Sequence, residues 1–218
     1  MRLVFERIIF DHNQSPTAGA VFVEGRAGQP VPSEPSRQNW ESGISWTVRA
    51  CTFYRNFAQH TGALYGSDVW PMDFHFSDTS FIENQATLFF QHDWHWWNGY
   101  PGPERRSGFS SIVHTSSHYD GGFSTEGLYA MISSGIIFGD SDDDPDATTN
   151  ILYDRTTFVD HASALWGHAL AIEIWPPQSD QGRRFNLHLR DFEMTESRSL
   201  SRGDGESRSM IVMRVQSR

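Results

Sequence analysis

The chain has 218 residues, a formal net charge of -10 and one cysteine, Cys51. This length suits a single domain that buries a substantial core, so we predict one domain over residues 1–218. The negative charge argues against a general nucleic-acid or anionic-membrane surface, because both require concentrated positive charge. A lone cysteine excludes an internal disulfide and a cysteine-based zinc site, and Cys51 lies in an apolar run where we expect a small buried residue.

Aromatic residues make up 14% of the chain and charged residues only 20%, which is typical of a folded, β-rich protein. All 17 basic residues are arginine. Arginine stacks on rings and forms forked contacts with carboxylates, which suits contacts between protein surfaces, although a GC-rich genome explains the composition equally well. The N-terminal segment lacks the features of a signal peptide, and no apolar run is long enough to span a membrane. We therefore expect a protein made in the cytoplasm that does not bind membranes.

The N-terminal third of the chain predicts short strands separated by turns. Residues 2–10 change the parity of their apolar positions near Glu6, which indicates a strand with a bulge. Residues 20–24 form a second short strand. Residues 25–36 carry prolines at alternate positions, which predicts a surface loop or arm. Residues 44–57 are rich in β-branched and aromatic side chains and predict a long central strand.

The middle of the chain continues this β pattern. Residues 72–77 alternate cleanly, which places Phe74 and Phe76 on one face and His75 on the opposite, polar face. Residues 86–91 form the next strand, and further strands are expected near 109–114, 128–138, 151–159 and 165–175.

At the C-terminus, two strand-like segments flank a polar loop, so residues 184–218 predict an antiparallel hairpin. About ten short strands, long loops and little helix favour an all-β fold, an antiparallel β-sandwich or jelly roll. The sequence contains no repeat of fixed period that would suggest a propeller or a solenoid.

The densest aromatic stretch runs from Phe89 to Tyr100. We interpret Trp94, Trp96, Trp97 and Tyr100 as anchors of a core or protein interface, where tryptophan concentrates binding energy. Two alternatives stay open. His92, Asp93 and His95 could ligate a metal, with His114, His118 and Asp120 contributing from the next strand, and the aromatic rings could form a sugar-binding platform on a β-sandwich.

A second pattern combines His118-Tyr119-Asp120, the downstream His168, and the segment Arg184-Phe-Asn-Leu-His-Leu-Arg190. Its order resembles the motifs of the AlkB-like family of Fe(II)/2-oxoglutarate oxygenases, whose Arg-x-Asn-x-x-x-Arg motif lies on the final strand of a double-stranded β-helix. The resemblance implies that His118, Asp120 and His168 hold iron. It also implies that Arg184 and Arg190 contact 2-oxoglutarate.

Two further motifs have a simpler interpretation. The acidic run 140–146 could bind Ca²⁺ weakly, but it lacks EF-hand spacing and is interpreted as a solvated loop. The tripeptide Arg202-Gly203-Asp204 is interpreted as turn chemistry.

These observations give three functional hypotheses. The leading one is a structural or assembly subunit of a large complex such as a virus or phage particle, a non-enzyme without a cofactor that binds other subunits as a homo- or hetero-oligomer. The alternatives are the iron oxygenase and a carbohydrate-binding β-sandwich.

Overall fold

The computed structural model describes residues 2–24, 44–67, 72–87, 93–97, 110–124, 135–137, 148–163, 170–174, 184–195, 198–199 and 211–215. Within these ranges the regular elements are all β-strands. The ranges contain no helix long and apolar enough to cross a membrane. The Pro-rich segment 25–36 lies outside the described residues.

The strands follow one another in groups of four, and each group makes one coil. Coil 1 comprises β1 (Arg2–Glu6), β2 (Ile9–Asp11), β3 (Gln14–Ser15) and β4 (Val21–Glu24). Coil 2 comprises β5 (Ile44–Arg49), β6 (Thr52–Tyr54), β7 (Phe57–Ala58) and β8 (Leu64–Ser67). Coil 3 comprises β9 (Met72–Ser77), β10 (Ser80–Ile82), β11 (Gln85–Ala86) and β12 (Asp93–Trp97).

The second half of the chain repeats this arrangement. Coil 4 comprises β13 (Ser110–Thr115), β14 (His118–Asp120), β15 (Phe123–Ser124) and β16 (Gly135–Ile137). Coil 5 comprises β17 (Thr148–Asp154), β18 (Thr157–Val159), β19 (Ala162–Ser163) and β20 (Leu170–Ile174). Coil 6 comprises β21 (Arg184–Arg190), β22 (Glu193–Thr195), β23 (Arg198–Ser199) and β24 (Ile211–Val215).

Equivalent strands of successive coils pair side by side and form four six-stranded sheets. The first sheet has the order β1-β5-β9-β13-β17-β21, and the second, third and fourth sheets follow the same coil order. The pairings are parallel in each sheet, as between β1 and β5 or between β20 and β24. The chain is therefore a parallel β-solenoid. The expected antiparallel sandwich or jelly roll is wrong, although the all-β content is confirmed.

The predicted C-terminal hairpin is also corrected. β21 lies in the first sheet, parallel to β17, whereas β24 lies in the fourth sheet, parallel to β20. The two strands are the first and last parts of one coil. Inward and outward side chains alternate along a strand in either kind of sheet, so alternation alone does not reveal the pairing partner.

The register exposes a repeat that has no fixed period. Arg2, Ser45, Asp73, Ser111, Asn150 and Asn186 occupy equivalent positions in the first sheet, so successive coils are offset by 43, 28, 38, 39 and 36 residues. The second and third sheets keep the same offsets, as Ile9 to Thr52 and Gln14 to Phe57 illustrate. The path through the first three sheets is therefore constant in length, and the variable segments fall elsewhere in each coil.

The corner between the first and second sheets explains the irregularity predicted near Glu6. At this corner each coil has one non-glycine residue at positive φ, between 46° and 56°, and these are Arg7, Ala50, Asp78, Ser116, Arg155 and Asp191. On four coils the next side chain donates a hydrogen bond to the carbonyl two residues earlier, as Cys51 Sγ does to Arg49 at 3.3 Å and Thr79 Oγ1 does to Ser77 at 3.0 Å. The predicted long strand 44–57 bends here. Cys51 is buried, as predicted, and takes the place of a hydroxyl residue.

The corner between the second and third sheets holds a ladder of asparagines. Asn13, Asn56 and Asn84 occupy equivalent positions on coils 1 to 3. Asn56 Nδ2 donates to the Phe10 carbonyl at 3.0 Å and lies 2.9 Å from Asn84 Oδ1, and Asn84 Nδ2 donates to the Phe53 carbonyl at 2.9 Å. Asn56 and Asn84 are fully buried, so these bonds satisfy polar groups that water cannot reach.

Aromatic side chains stack along the inside of the second sheet. Phe10, Phe53, Phe81, Tyr119 and Phe158 form one column in which adjacent ring centroids are 4.7 to 4.9 Å apart. This separation matches the spacing of neighbouring strands, because in-register parallel strands place the same position of each coil directly above the last. Phe74 and Phe76 are buried and His75 is exposed on the outer face, as the alternation predicted.

We predict that Asn56→Ala lowers the free energy of unfolding by about 3 kcal/mol, because it leaves buried ladder groups without hydrogen-bond partners. Asn13→Ala, at the exposed end of the ladder, should cost about 1 kcal/mol. Urea unfolding of both variants measures the difference. Equal effects would show that the ladder does not depend on its buried member.

Candidate functional site

Coils 4 and 5 carry titratable side chains at inward positions where coil 3 has phenylalanine or asparagine. His114 and Tyr119 stand in register with Phe76 and Phe81, and His161 occupies the ladder position that Asn84 occupies on coil 3. All three are fully buried. We call them the buried polar cluster.

His114 and Tyr119 contact each other inside the solenoid. The Tyr119 hydroxyl lies 2.7 Å from His114 Nδ1, within hydrogen-bond distance. The His114 ring stacks between Phe76 and Tyr153, with centroid distances of 4.6 and 4.7 Å. Both faces of this imidazole are therefore covered by rings, which suits a place in the packed column better than proton exchange with a substrate.

His161 replaces an asparagine amide in the ladder. Its Nε2 lies 3.3 Å from the Tyr119 carbonyl, and this bond is equivalent to the one from Asn84 to the Phe53 carbonyl on coil 3. Burial lowers the pKa of His161 to about 3, so the ring is neutral near pH 7. Gly122 occupies the ladder position of coil 4 and supplies no side chain there.

Two of the three residues predicted to hold iron, His118 and Asp120, lie on the outer face of the second sheet. His118 and Asp120 flank the inward-facing Tyr119, their side chains are 43% and 40% exposed, and His118 Nε2 lies 3.9 Å from Asp120 Oδ2. His118 Nδ1 also lies 2.6 Å from Thr157 Oγ1. The structure thus brings together two of the three predicted ligands, while His168 lies outside the described residues. The described residues contain no group of three side chains arranged to hold a metal.

The segment 184–190 does not occupy the fold position that the oxygenase resemblance implies. β21 is the last strand of a parallel sheet and not of a double-stranded β-helix. Arg190 Nε donates to Asp154 Oδ1 at 2.6 Å, and Arg155 Nε lies 3.4 Å from Asp154 Oδ2. The hydrogen bond from Arg190 lowers the pKa of Asp154 and raises that of Arg190. Arg184 begins β21, and its side chain lies outside the described residues.

The aromatic stretch forms β12 of the fourth sheet, between β8 and β16. Trp94 pairs with Tyr65, and Trp96 and Trp97 pair with Ile136 and Ile137. The side chains of β12 lie outside the described residues, as do His92, Tyr100, the acidic run 140–146 and the tripeptide 202–204. Their interface, sugar-binding and metal-binding interpretations stay predictions.

The ends of the solenoid expose apolar side chains that sequence reasoning missed. Among the side chains that the structure describes, which do not include those of β12, β16 and β20, the large apolar ones that are exposed all lie on coil 1 or coil 6. They are Val4 at 52%, Ile8 at 36%, Ile9 at 72%, Phe22 at 48% and Leu189 at 39%. The unusual character of Ile9 is visible only after the coils are aligned. The equivalent positions on coils 2 to 6 are all polar: Thr52, Ser80, His118, Thr157 and Glu193.

No family model matches this chain. Comparison with curated proteins and with solved structures likewise finds no significant match.

We predict that acid destabilises the protein through His161. Its folded-state pKa of about 3 lies below the ordinary value of 6.5, so the unfolded chain binds the extra proton first. The free energy of unfolding is therefore unaffected by His161 above about pH 6.5. Below that pH it falls by about 1.4 kcal/mol per pH unit as the pH drops toward 3.

His161→Asn should keep the ladder bond and remove this dependence, so that the difference in unfolding free energy between variant and wild type changes by about 2 kcal/mol between pH 7 and pH 5. Urea unfolding at both pH values measures it. A constant difference would contradict a buried neutral His161.

Proposed function

We propose that the protein is a structural or assembly subunit that acts through protein–protein contacts at the ends of its solenoid. The observation that carries this proposal is the placement of the exposed large apolar side chains of the described residues on the two terminal coils. Terminal repeats of solenoid proteins ordinarily need a polar outer face for solubility. Exposed apolar side chains at that place favour an interaction surface.

The backbone at the ends supports the same proposal. β1 and β2 on coil 1, and β21 and β22 on coil 6, are the outermost strands of the first and second sheets. Each outermost strand presents peptide groups on the side away from its neighbour, and such edges readily pair with another chain. The outer strand edges that can pair with another chain therefore lie on the same coils as the exposed apolar side chains.

Three chemically active groups of the inner coils contribute to the fold. His114 stacks between two rings, His161 bonds the Tyr119 carbonyl, and Asp154 lies between two arginines. Each of these groups takes part in the packing, hydrogen bonding or ion pairing of the fold. This favours a scaffold role over a catalytic role for the inner coils.

We predict that the double variant Val4→Thr/Ile9→Thr leaves the fold intact and detaches the protein from its complex. Thr47 and Thr52 occupy the equivalent positions on coil 2, so threonine fits both places. Native mass in extracts of cells that make the protein measures the effect, with sedimentation distinguishing complex from monomer.

The matched control is Ile82→Thr, which removes an outward-facing apolar side chain from the second sheet at an inner coil. It should leave the native mass unchanged. A wild-type protein that sediments as a monomer in these extracts would overturn the proposed function.

A further inference from the structure

On the basis of the proposed function, we infer that the partner at the solenoid ends is a second copy of this chain. Coil 6 of one copy stacks on coil 1 of the next, in parallel, so that all four sheets continue from copy to copy. We call this contact the head-to-tail interface. It follows from the lengths, side chains and charges of the two terminal coils.

The strands at the two ends are of similar length. In the first sheet β21 has 7 residues and β1 has 5; in the second sheet β22 and β2 have 3 each. β23 and β3 have 2 residues each, and β24 and β4 have 5 and 4. A translation along the solenoid axis therefore brings all four pairs together.

The inward-facing side chains match across this interface when the register is continued. The first-sheet register places Leu187 in the row of Leu3 and Leu189 in the row of Phe5, and the second-sheet register places Met194 in the row of Phe10. Leu3, Phe5 and Phe10 pack on the core from one end and Leu187 and Met194 from the other, and all five are only partly buried. Stacking would cover the remaining surface of each with an apolar partner.

Charges also match in the continued register. Arg190 of one copy falls beside Glu6 of the next, and Asp191 falls beside Arg7. Within one chain Arg190 already bonds Asp154, and Glu6 lies 3.9 Å from Arg49. The interface therefore extends an alternating row of Asp154, Arg190, Glu6 and Arg49. Complementary charges of this kind fix register and disfavour wrong partners.

A head-to-tail contact uses two different surfaces, so it does not close on itself as a two-fold dimer does. It generates a row of copies that lengthens with concentration. The purified chain alone is therefore sufficient to test the inference.

The test uses two charge reversals, Glu6→Arg and Arg190→Glu, each examined by sedimentation velocity. Each variant alone places like charges across the interface, and we expect its association to weaken on the order of 100-fold, since like charges in contact cost several kcal/mol. A mixture of the two variants restores opposite charges at both kinds of junction. We expect the mixture to assemble as the wild type does, with alternating copies.

Arg155→Glu is the matched control. Arg155 also contacts Asp154 but lies on coil 5, one coil inside the interface, so we expect this reversal to leave assembly unchanged. If each variant failed to assemble because it was misfolded, mixing the two variants would not restore assembly. Restored assembly in the mixture therefore shows that the two variants contact each other through the reversed charges.

A second measurement does not depend on the charge variants. Arg2 and Asn186 are exposed and belong to one row of the first sheet, so Arg2→Cys/Asn186→Cys in a Cys51→Ser background should form disulfides between copies under mild oxidation. Neighbouring parallel strands lie within the distance that a disulfide spans. Asp11→Cys/Asn186→Cys, whose cysteines fall in different sheets, should form none.

A wild-type chain that stays monomeric when purified, charge variants that assemble like the wild type, or a mixture that fails to assemble would each overturn the head-to-tail interface. The proposed function would survive any of these results if the native complex still depends on Val4 and Ile9. It would fall if the wild type is monomeric in the cell extract, or if the complex does not depend on Val4 and Ile9.

Discussion

The constraint on which the structure depends is the in-register stacking of each coil on the one before. Because the strands pair in parallel, a residue meets its equivalent on the next coil, and the same side-chain type is favoured along a row. The phenyl column that begins at Phe10 and the asparagine ladder that includes Asn56 both follow from this rule. Stability is then largely a sum of coil-to-coil contacts, and among the described strands each terminal coil pairs with one neighbouring coil only.

Coils 4 and 5 show how the stack accommodates polar ring side chains where coil 3 has phenylalanine or asparagine. His114 and Tyr119 keep the ring shape of phenylalanine and satisfy each other through a hydrogen bond. His161 keeps the ladder bond of asparagine to a backbone carbonyl, at the cost of a lower pKa. The buried polar cluster contains residue types that are common in catalytic sites. Its members are explained by the phenylalanine and asparagine positions that they occupy in the stack. The terminal coils offer no such structural explanation for their exposed apolar side chains.

The sequence allowed some of this to be predicted. Alternation correctly placed Phe74 and Phe76 inside and His75 outside, and an apolar run correctly indicated that Cys51 is buried. The pairing could not be predicted, because coils are offset by 28 to 43 residues and no fixed period marks them. The corner at Arg7 resembled a bulge in the sequence. One non-glycine residue at positive φ leaves no clear mark in a single sequence, so the corner could not be recognised there. The outward position of Ile9 became informative only when the coils were aligned.

In the proposed assembly, the terminal coils are contact surfaces that extend the stack. Amide hydrogen exchange on the assembled and the diluted protein tests this most directly, because it reports whether backbone groups at the outer edges of β1 and β21 acquire partners. We expect these edge amides to exchange slowly in the assembly and rapidly after dilution, while amides of β9 and β13 stay protected in both. Equal exchange at β1 and β21 in the two states would contradict it.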